Sequence, residues 1–200
     1  GLNRYDGYDT RIYRSLKDDG NSLPDSYIED IQEDATGNLW VRTGAGYAIY
    51  NSVSDIFDRN VEGWMWHIGI SGNPSTVYID SEKIFWIYVA GKGIYCYKPG
   101  QENAVMVAGT DTLLTEMNIT DMTECSEGIL LAFGNGVLAC LDREKLNVKW
   151  TFDGIASQWG KNQSETFTLF VDSHERVWMY SVEGMWVYHL PKKSWEVRSV

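Results

Sequence analysis

The chain has 200 residues, with 28 acidic against 17 basic side chains and a formal net charge of −11. That balance argues against nucleic acid, whose phosphates need Lys and Arg to neutralise them, and against an anionic membrane surface. Nine Trp and twelve Tyr, with sparse charge, favour packed β-structure over disorder.

No run approaches the roughly 18 apolar residues of a membrane span, and no signal-peptide pattern opens the chain. Its first stretches, "GLNRYD" and "DTRIYRS" (1–18), have the pattern of two strands around a turn. Next comes an alternating segment, "YIEDIQED", then "GNLWVRTGAGYAIYN" at 37–51 and a strand around Phe57. The same succession recurs. "TVYIDSE" leads into "KIFWIYVAGKGIYCYK" (83–98), with a further strand around Val105. "NITDMTEC" leads into "GILLAFGNGVLACLD" (128–142), with one around Trp150, and "TFTLFVDS" into "RVWMYSVEGMWVYHL" (176–190), with one around Trp195. One slot holds Trp40, Trp86, Leu130 and Trp178, at spacings of 44–48 residues. A second holds Gly46, Gly93, Gly136 and Gly184, where a tight turn calls for φ > 0.

Alternation of period two, with turn residues between, specifies strands and not helices. Four short antiparallel strands repeated about every 45 residues are the pattern of β-propeller blades. The expected class is therefore all-β. The last two strands of a preceding blade occupy 1–18, and four blades occupy 19–60, 61–109, 110–153 and 154–200. Because the opening blade lacks its first two strands, the expectation is a fragment of a larger propeller, or one that pairs with another chain.

Cys96, Cys125 and Cys140 are odd in number and widely spaced, which fits neither a disulfide framework nor a zinc site; they read as buried structural thiols. No two of His67, His174 and His189 have metal-ligand spacing, so neither a metal nor a cofactor is expected. Acidic residues such as Glu33, Asp34 and Asp172 recur with the repeat, and recurrence marks a structural role in hairpin hydrogen bonding. No nucleophile elbow, P-loop or dinucleotide fingerprint is present, so the segment reads as non-catalytic. An enzyme would need His or carboxylates clustered at a channel mouth, for which His67 is the one histidine candidate.

Trp64, Trp66 and Trp159 fall outside the repeated slots, in links between blades: "NVEGWMWHIGISGNPS" and "DGIASQWGKNQS". Aromatic faces beside His67, Lys161 and Asn162 suit a sugar, which offers alternating apolar and hydroxyl surfaces. The plainer alternative is that Trp64 and Trp66 cap the core under a long loop.

The stretch "NSLPDSYIEDIQEDATGNLWVRTGAGYAIYN" (21–51) resembles the two-component regulator propeller repeat, and "GLNRYDGYD" resembles the end of another. The fourth blade is similar through "FVDSHERVWMYSVEG", while the second and third are degenerate. The resemblance implies a periplasmic sensor segment of a hybrid histidine kinase/response regulator of gut bacteria. Such a sensor detects an oligosaccharide, controls glycan-utilisation genes, and forms a homodimer through the parent protein, with no direct membrane contact by this segment. Where the family usually has a small residue two positions after the Trp, this chain has Arg42, Tyr88, Ala132 and Tyr180. Arg42, Tyr88 and Tyr180 therefore join the candidate ligand-binding set. The competing expectation is a protein-interaction or dimerisation scaffold with no small-molecule site.

Overall fold

The computed structural model describes residues 1–110, 118–154 and 165–198. They fall into two compact units: Gly1–Ser75 with Glu82–Ile84 and Tyr97–Ala104, and Thr76–Ser81 with Phe85–Cys96 and Val105–Val200.

The first unit opens with an antiparallel hairpin, β1 (Leu2–Tyr5) and β2 (Thr10–Tyr13), in which Leu2 faces Tyr13 and Tyr5 faces Thr10. Asp6 closes its turn by accepting from the Tyr8 and Asp9 amides at 2.9 Å each. A four-stranded meander follows: β3 (Ile28–Glu33), β4 (Leu39–Thr43), β5 (Gly46–Asn51) and β6 (Ile56–Asp58). Alternation along the strands sends Val41, Ala48 and Tyr50 to one face, where they form a core with Leu23 and Phe57. Leu2 and Tyr13 of the hairpin pack on that core. The hairpin's remaining attachment is polar. Tyr13 and Tyr50 both donate to Asp55 Oδ1, at 2.6 and 2.7 Å; Arg4 donates to Tyr50 Oη at 2.7 Å, and Arg11 pairs with Asp55 Oδ2. The Tyr13 and Tyr50 hydrogen bonds, helped by the two arginines, hold the Asp55 carboxyl below the usual carboxylate range.

The second unit contains three four-stranded meanders. They are β7 (Thr76–Ile79), β8 (Phe85–Val89), β9 (Gly93–Tyr97) and β10 (Val105–Met106); β11 (Ile119–Cys125), β12 (Gly128–Phe133), β13 (Leu138–Asp142) and β14 (Asn147–Phe152); and β15 (Thr168–Val171), β16 (Arg176–Ser181), β17 (Gly184–His189) and β18 (Ser194–Arg198). Strand β11 lies between β7 and β15, so the middle sheet has a neighbour on each side. Every residue of β12 is buried, as a strand covered on both faces requires. Leu130, Ala132, Leu138 and Cys140 pack against Phe167, Leu169, Val177, Met179, Trp186 and Leu190. Burying one such leucine contributes about 1.5–3 kcal/mol.

The recurring turn acids have the structural role their spacing predicts. Asp34 Oδ1 accepts from the Thr36 and Asn38 amides at 2.8 and 3.1 Å, and Asp172 Oδ1 from those of His174 and Arg176 at 2.9 and 3.1 Å. The other oxygen of each braces the Trp six residues on: Asp34 to Trp40 at 3.3 Å, Asp80 to Trp86 at 3.0 Å, Asp172 to Trp178 at 2.9 Å. In the third sheet Leu130 replaces the Trp, and Glu127 instead accepts from the Trp150 indole at 2.7 Å. Burial alone would raise the Asp172 carboxyl; hydrogen bonds from Trp178, the Arg176 and His174 amides and the Arg176 guanidinium bring it far below its ordinary range.

Two expectations need correcting. Gly46, Gly93 and Gly136 have φ of 114, 140 and 85°, but Gly184 is absent from the left-handed region. A Cβ at Gly184 would lie 3.2 Å from Trp186 Cη2, so the glycine makes room for a ring. The link after β6 is also not irregular throughout: Val61–His67 form a helix, α1. Val61, Trp64, Met65 and Ile68 recur at helical spacing, and Asn60 caps the first turn by accepting from the Gly63 amide at 3.1 Å. The three cysteines are buried, as expected.

Candidate functional site

Helix α1 separates the two tryptophans that the sequence left undecided. Met65 and Val61 are buried beneath it. The Trp64 ring meets Trp40 edge-on, with centroids 4.6 Å apart, and Tyr97 at 5.7 Å and 88°. Edge-to-face contacts at these distances stabilise a packed aromatic cluster. For Trp64 the geometry is that of the core cap, the plainer of the two readings.

Trp66 is turned outward, with 69% of its surface exposed. Beside it His67 is exposed and its Nδ1 lies 2.6 Å from the Gly63 carbonyl. A hydrogen bond there requires Nδ1 to carry the proton, which leaves Nε2 as the acceptor nitrogen of the neutral ring. Glu62 is exposed and sits one turn before Trp66, a spacing that places both on one side of the helix. The Trp66 ring and the Glu62 carboxylate thus share one exposed side of the helix, and the exposed His67 follows directly in sequence. The far end of the helix is tied down, since the Ile68 carbonyl accepts from the Ala104 amide at 2.8 Å.

The remaining candidates are dispersed. Arg42 shares a sheet face with Trp40, but its Nε is 2.8 Å from Glu29 Oε2, so the guanidinium already has a carboxylate partner. Tyr88 is 2% exposed and donates to Asn118 Oδ1 at 3.1 Å, leaving a ligand almost no surface to touch. Tyr180 is 42% exposed and stands opposite Thr168, with Phe170 two residues along at 59%. Trp159, Lys161 and Asn162 lie outside the described residues. The structure therefore places Trp64, Trp66 and His67 on one helix, with Trp64 packed inward and Trp66 and His67 exposed. Glu62 was missed by the sequence reading, although the helical spacing that aligns it with Trp66 was available there.

Residues 22–45 match the family described as two component regulator propeller. No curated protein matches the chain by sequence. Among solved structures the chain is similar to the extracellular domain of a hybrid two component system from B. thetaiotaomicron. The identity is 12%, over 96% of this chain and 24% of that one, with a TM-score of 0.62. It is similar also to the extracellular domain of a one component system from the same organism, at 18% identity over 98% and 27%, with a TM-score of 0.66. A third likeness is to YCF48 from Cyanidioschyzon merolae, at 14% identity over 96% and 61%, with a TM-score of 0.56.

The fold is that of β-propeller blades. This chain spans about a quarter of each of the two B. thetaiotaomicron domains. Among the described residues no helix is long and apolar enough to cross a membrane.

Proposed function

We propose that this chain is part of the extracytoplasmic sensor region of a hybrid two-component signalling protein, where it recognises an oligosaccharide and performs no catalysis. The observation that carries this reading is the family match over residues 22–45, in a chain whose fold is similar to extracellular domains of such systems. Periplasmic placement and a homodimer through the parent protein belong to the same proposal. Ligand binding then acts by favouring one arrangement of the sensor over another, and the output is control of glycan-utilisation genes by parts of the protein outside this chain.

The proposed contact point for sugar is the outward side of α1. Trp66 supplies a stacking face, and Glu62 and His67 Nε2 supply acceptors for hydroxyl groups. A net charge of −11 favours a neutral ligand over an anionic one. A second reading, an interaction scaffold, is favoured by the exposed aromatic pair Phe170 and Tyr180.

Thermal unfolding followed by Trp emission, across a panel of plant and host oligosaccharides, tests the proposal. A true ligand at a hundredfold excess over its Kd stabilises the fold by about 2.7 kcal/mol. The expected result is a shift with one glycan class that Trp66→Ala abolishes. A shift that survives Trp66→Ala and disappears with Trp159→Ala moves the site to the other link. A cooperative melt that no sugar displaces overturns carbohydrate recognition by this chain.

A further inference from the structure

Cys125 and Cys140 both enter the buried cluster of the second unit. Cys125 ends β11 opposite Gly128, and Cys140 stands on β13 opposite Leu130, so β12 runs between them. A side chain at Gly128 would collide with the Leu141 carbonyl and start 3.3 Å from Cys140 Sγ. Glycine is required there, and through the gap it leaves the two thiols hydrogen-bond to each other.

The two sulfurs are not equivalent. Cys140 has no exposed surface, whereas Cys125, 8% exposed, lines a cavity of about 360 Å³ between the β11–β12 turn and residues 142–144. Cys96, 2% exposed on β9, is not part of that lining. The Cys140 hydrogen bond, helped by the Glu127 and Gly128 amides, brings the Cys125 thiol below its ordinary range, against burial and the charge of Glu175. The same pairing, with burial, pushes Cys140 far up, although Lys149 opposes it. Cys140 therefore keeps its proton and is the donor. Its S–H has an alternative acceptor in the Leu141 carbonyl at 3.8 Å, but an ionised sulfur is the stronger one. The cavity is acidic on balance. Glu127, Asp142 and Glu144 line it against Arg143, whose guanidinium is already 2.9 Å from Glu124 Oε2, and Lys149 lies 3.9 Å from Glu127.

We infer that Cys125 is a thiol-modification site at which a small cationic disulfide exchanges, leaving one of its halves bound to Cys125 and seated in the cavity, with Cys140 as the positioning residue that donates to the attacking sulfur. Cys125 loses its proton to solvent, and its sulfur attacks one sulfur of the small disulfide. A new S–S bond forms, that of the reagent breaks, and the departing thiolate takes up a proton. Cys125 is oxidised, the leaving sulfur is reduced, and no further oxidant is needed. The exchange stops at the mixed disulfide. Adjacent strands lie about 4.8 Å apart and a disulfide needs Cα atoms within about 7 Å, so bonding Cys125 to Cys140 would have to draw β11 and β13 together across β12. The inference is independent of the ligand proposed for α1.

The test incubates the 200-residue chain with cystamine, or with dithiodipropionate as an anionic probe of similar size, and follows intact mass and peptide maps. One adduct is expected, on Cys125 and not on Cys96 or Cys140. It should form at least roughly threefold faster with cystamine at low ionic strength, a preference that salt removes. Cys125→Ser should abolish it. Cys140→Ala should move the midpoint of the rate–pH profile up by about half a unit or more, and Cys140→Ser, which keeps a donor, should return it. A purely structural role for Cys140 would lower the melting temperature and leave that midpoint in place, which overturns its part in the inference. Equal labelling of all three cysteines, the mark of reaction through unfolding, overturns the site, and so does the absence of an adduct on Cys125. Loss of two hydrogens with no adduct would make the pair an internal disulfide instead. That result, or an equal rate with dithiodipropionate, also overturns the inference.

Discussion

The joint between β11–β14 and β15–β18 and the seat of the β1–β2 hairpin are held by opposite means. The first is chiefly an apolar contact in which Leu130, Cys140, Phe167 and Val177 have no exposed surface, with Ser126 donating to Glu175 and Leu169 to Asp121 across it. The second places Leu2 and Tyr13 on a neighbouring core and leaves the rest to Asp55, two tyrosines and two arginines. A four-stranded sheet has enough area to be held by apolar burial. A two-stranded hairpin does not, and charge-assisted hydrogen bonds fix its position instead.

The largest expected effect breaks the apolar joint. Leu130→Ala should cost about 2–5 kcal/mol by opening a cavity in the buried cluster, read as a lowered midpoint in urea with an unchanged slope. Asp80→Ala comes next. Asp80 is 2% exposed and receives the Trp86 indole, so its removal strands a buried N–H at a cost of about 1–3 kcal/mol.

Acid should weaken the hairpin seat through Asp55, and through Asp172 and Glu124 the polar contacts of the sheets. Asp55 and Asp172 have folded-state values below their unfolded ones, and so does Glu124, where burial is outweighed by bonds from Ser81 and Arg143. A depressed carboxyl contributes stability that is fully present above its unfolded value, about 4. That contribution is lost as pH falls through the folded value. Melting temperature should therefore be flat near neutrality and fall below about pH 4, and Asp172→Asn should reduce the acid dependence.

Asp55→Ala should act locally. The β1–β2 amides should lose exchange protection while those of β12 keep theirs; equal losses in both would mean that the hairpin is not a separate attachment. The smallest effect belongs to Trp66→Ala, expected within about 0.5 kcal/mol because the ring is mostly in water.

The sheets were legible in the sequence because strand alternation and the Trp slot are local signals, and the Asp-to-Trp brace six residues apart makes each slot self-consistent. Helix α1 was missed although Val61, Trp64, Met65 and Ile68 carry its period, because seven residues between long strand patterns read as a link. The Asp55 cluster was beyond reach, since its members come from positions 4, 11, 13, 50 and 55 and meet only after folding. Of the candidate residues, Trp66 and His67 are exposed on α1. Arg42 and Tyr88 already have partners across their own sheet and from the next, which no single repeat reveals.

Leu130 stands where the other three repeats have Trp, and Phe167 and Trp186 from the following segment enter the same cluster with their rings 5.8 Å apart. Gly184 makes room for the second of those rings. Packing in the third sheet thus depends on residues of the next. In a lineage of such chains, substitutions at 130 should be matched by changes at 167, 184 and 186, and a chimera that exchanges one of these sheets without its neighbour should pack worse than one that exchanges both.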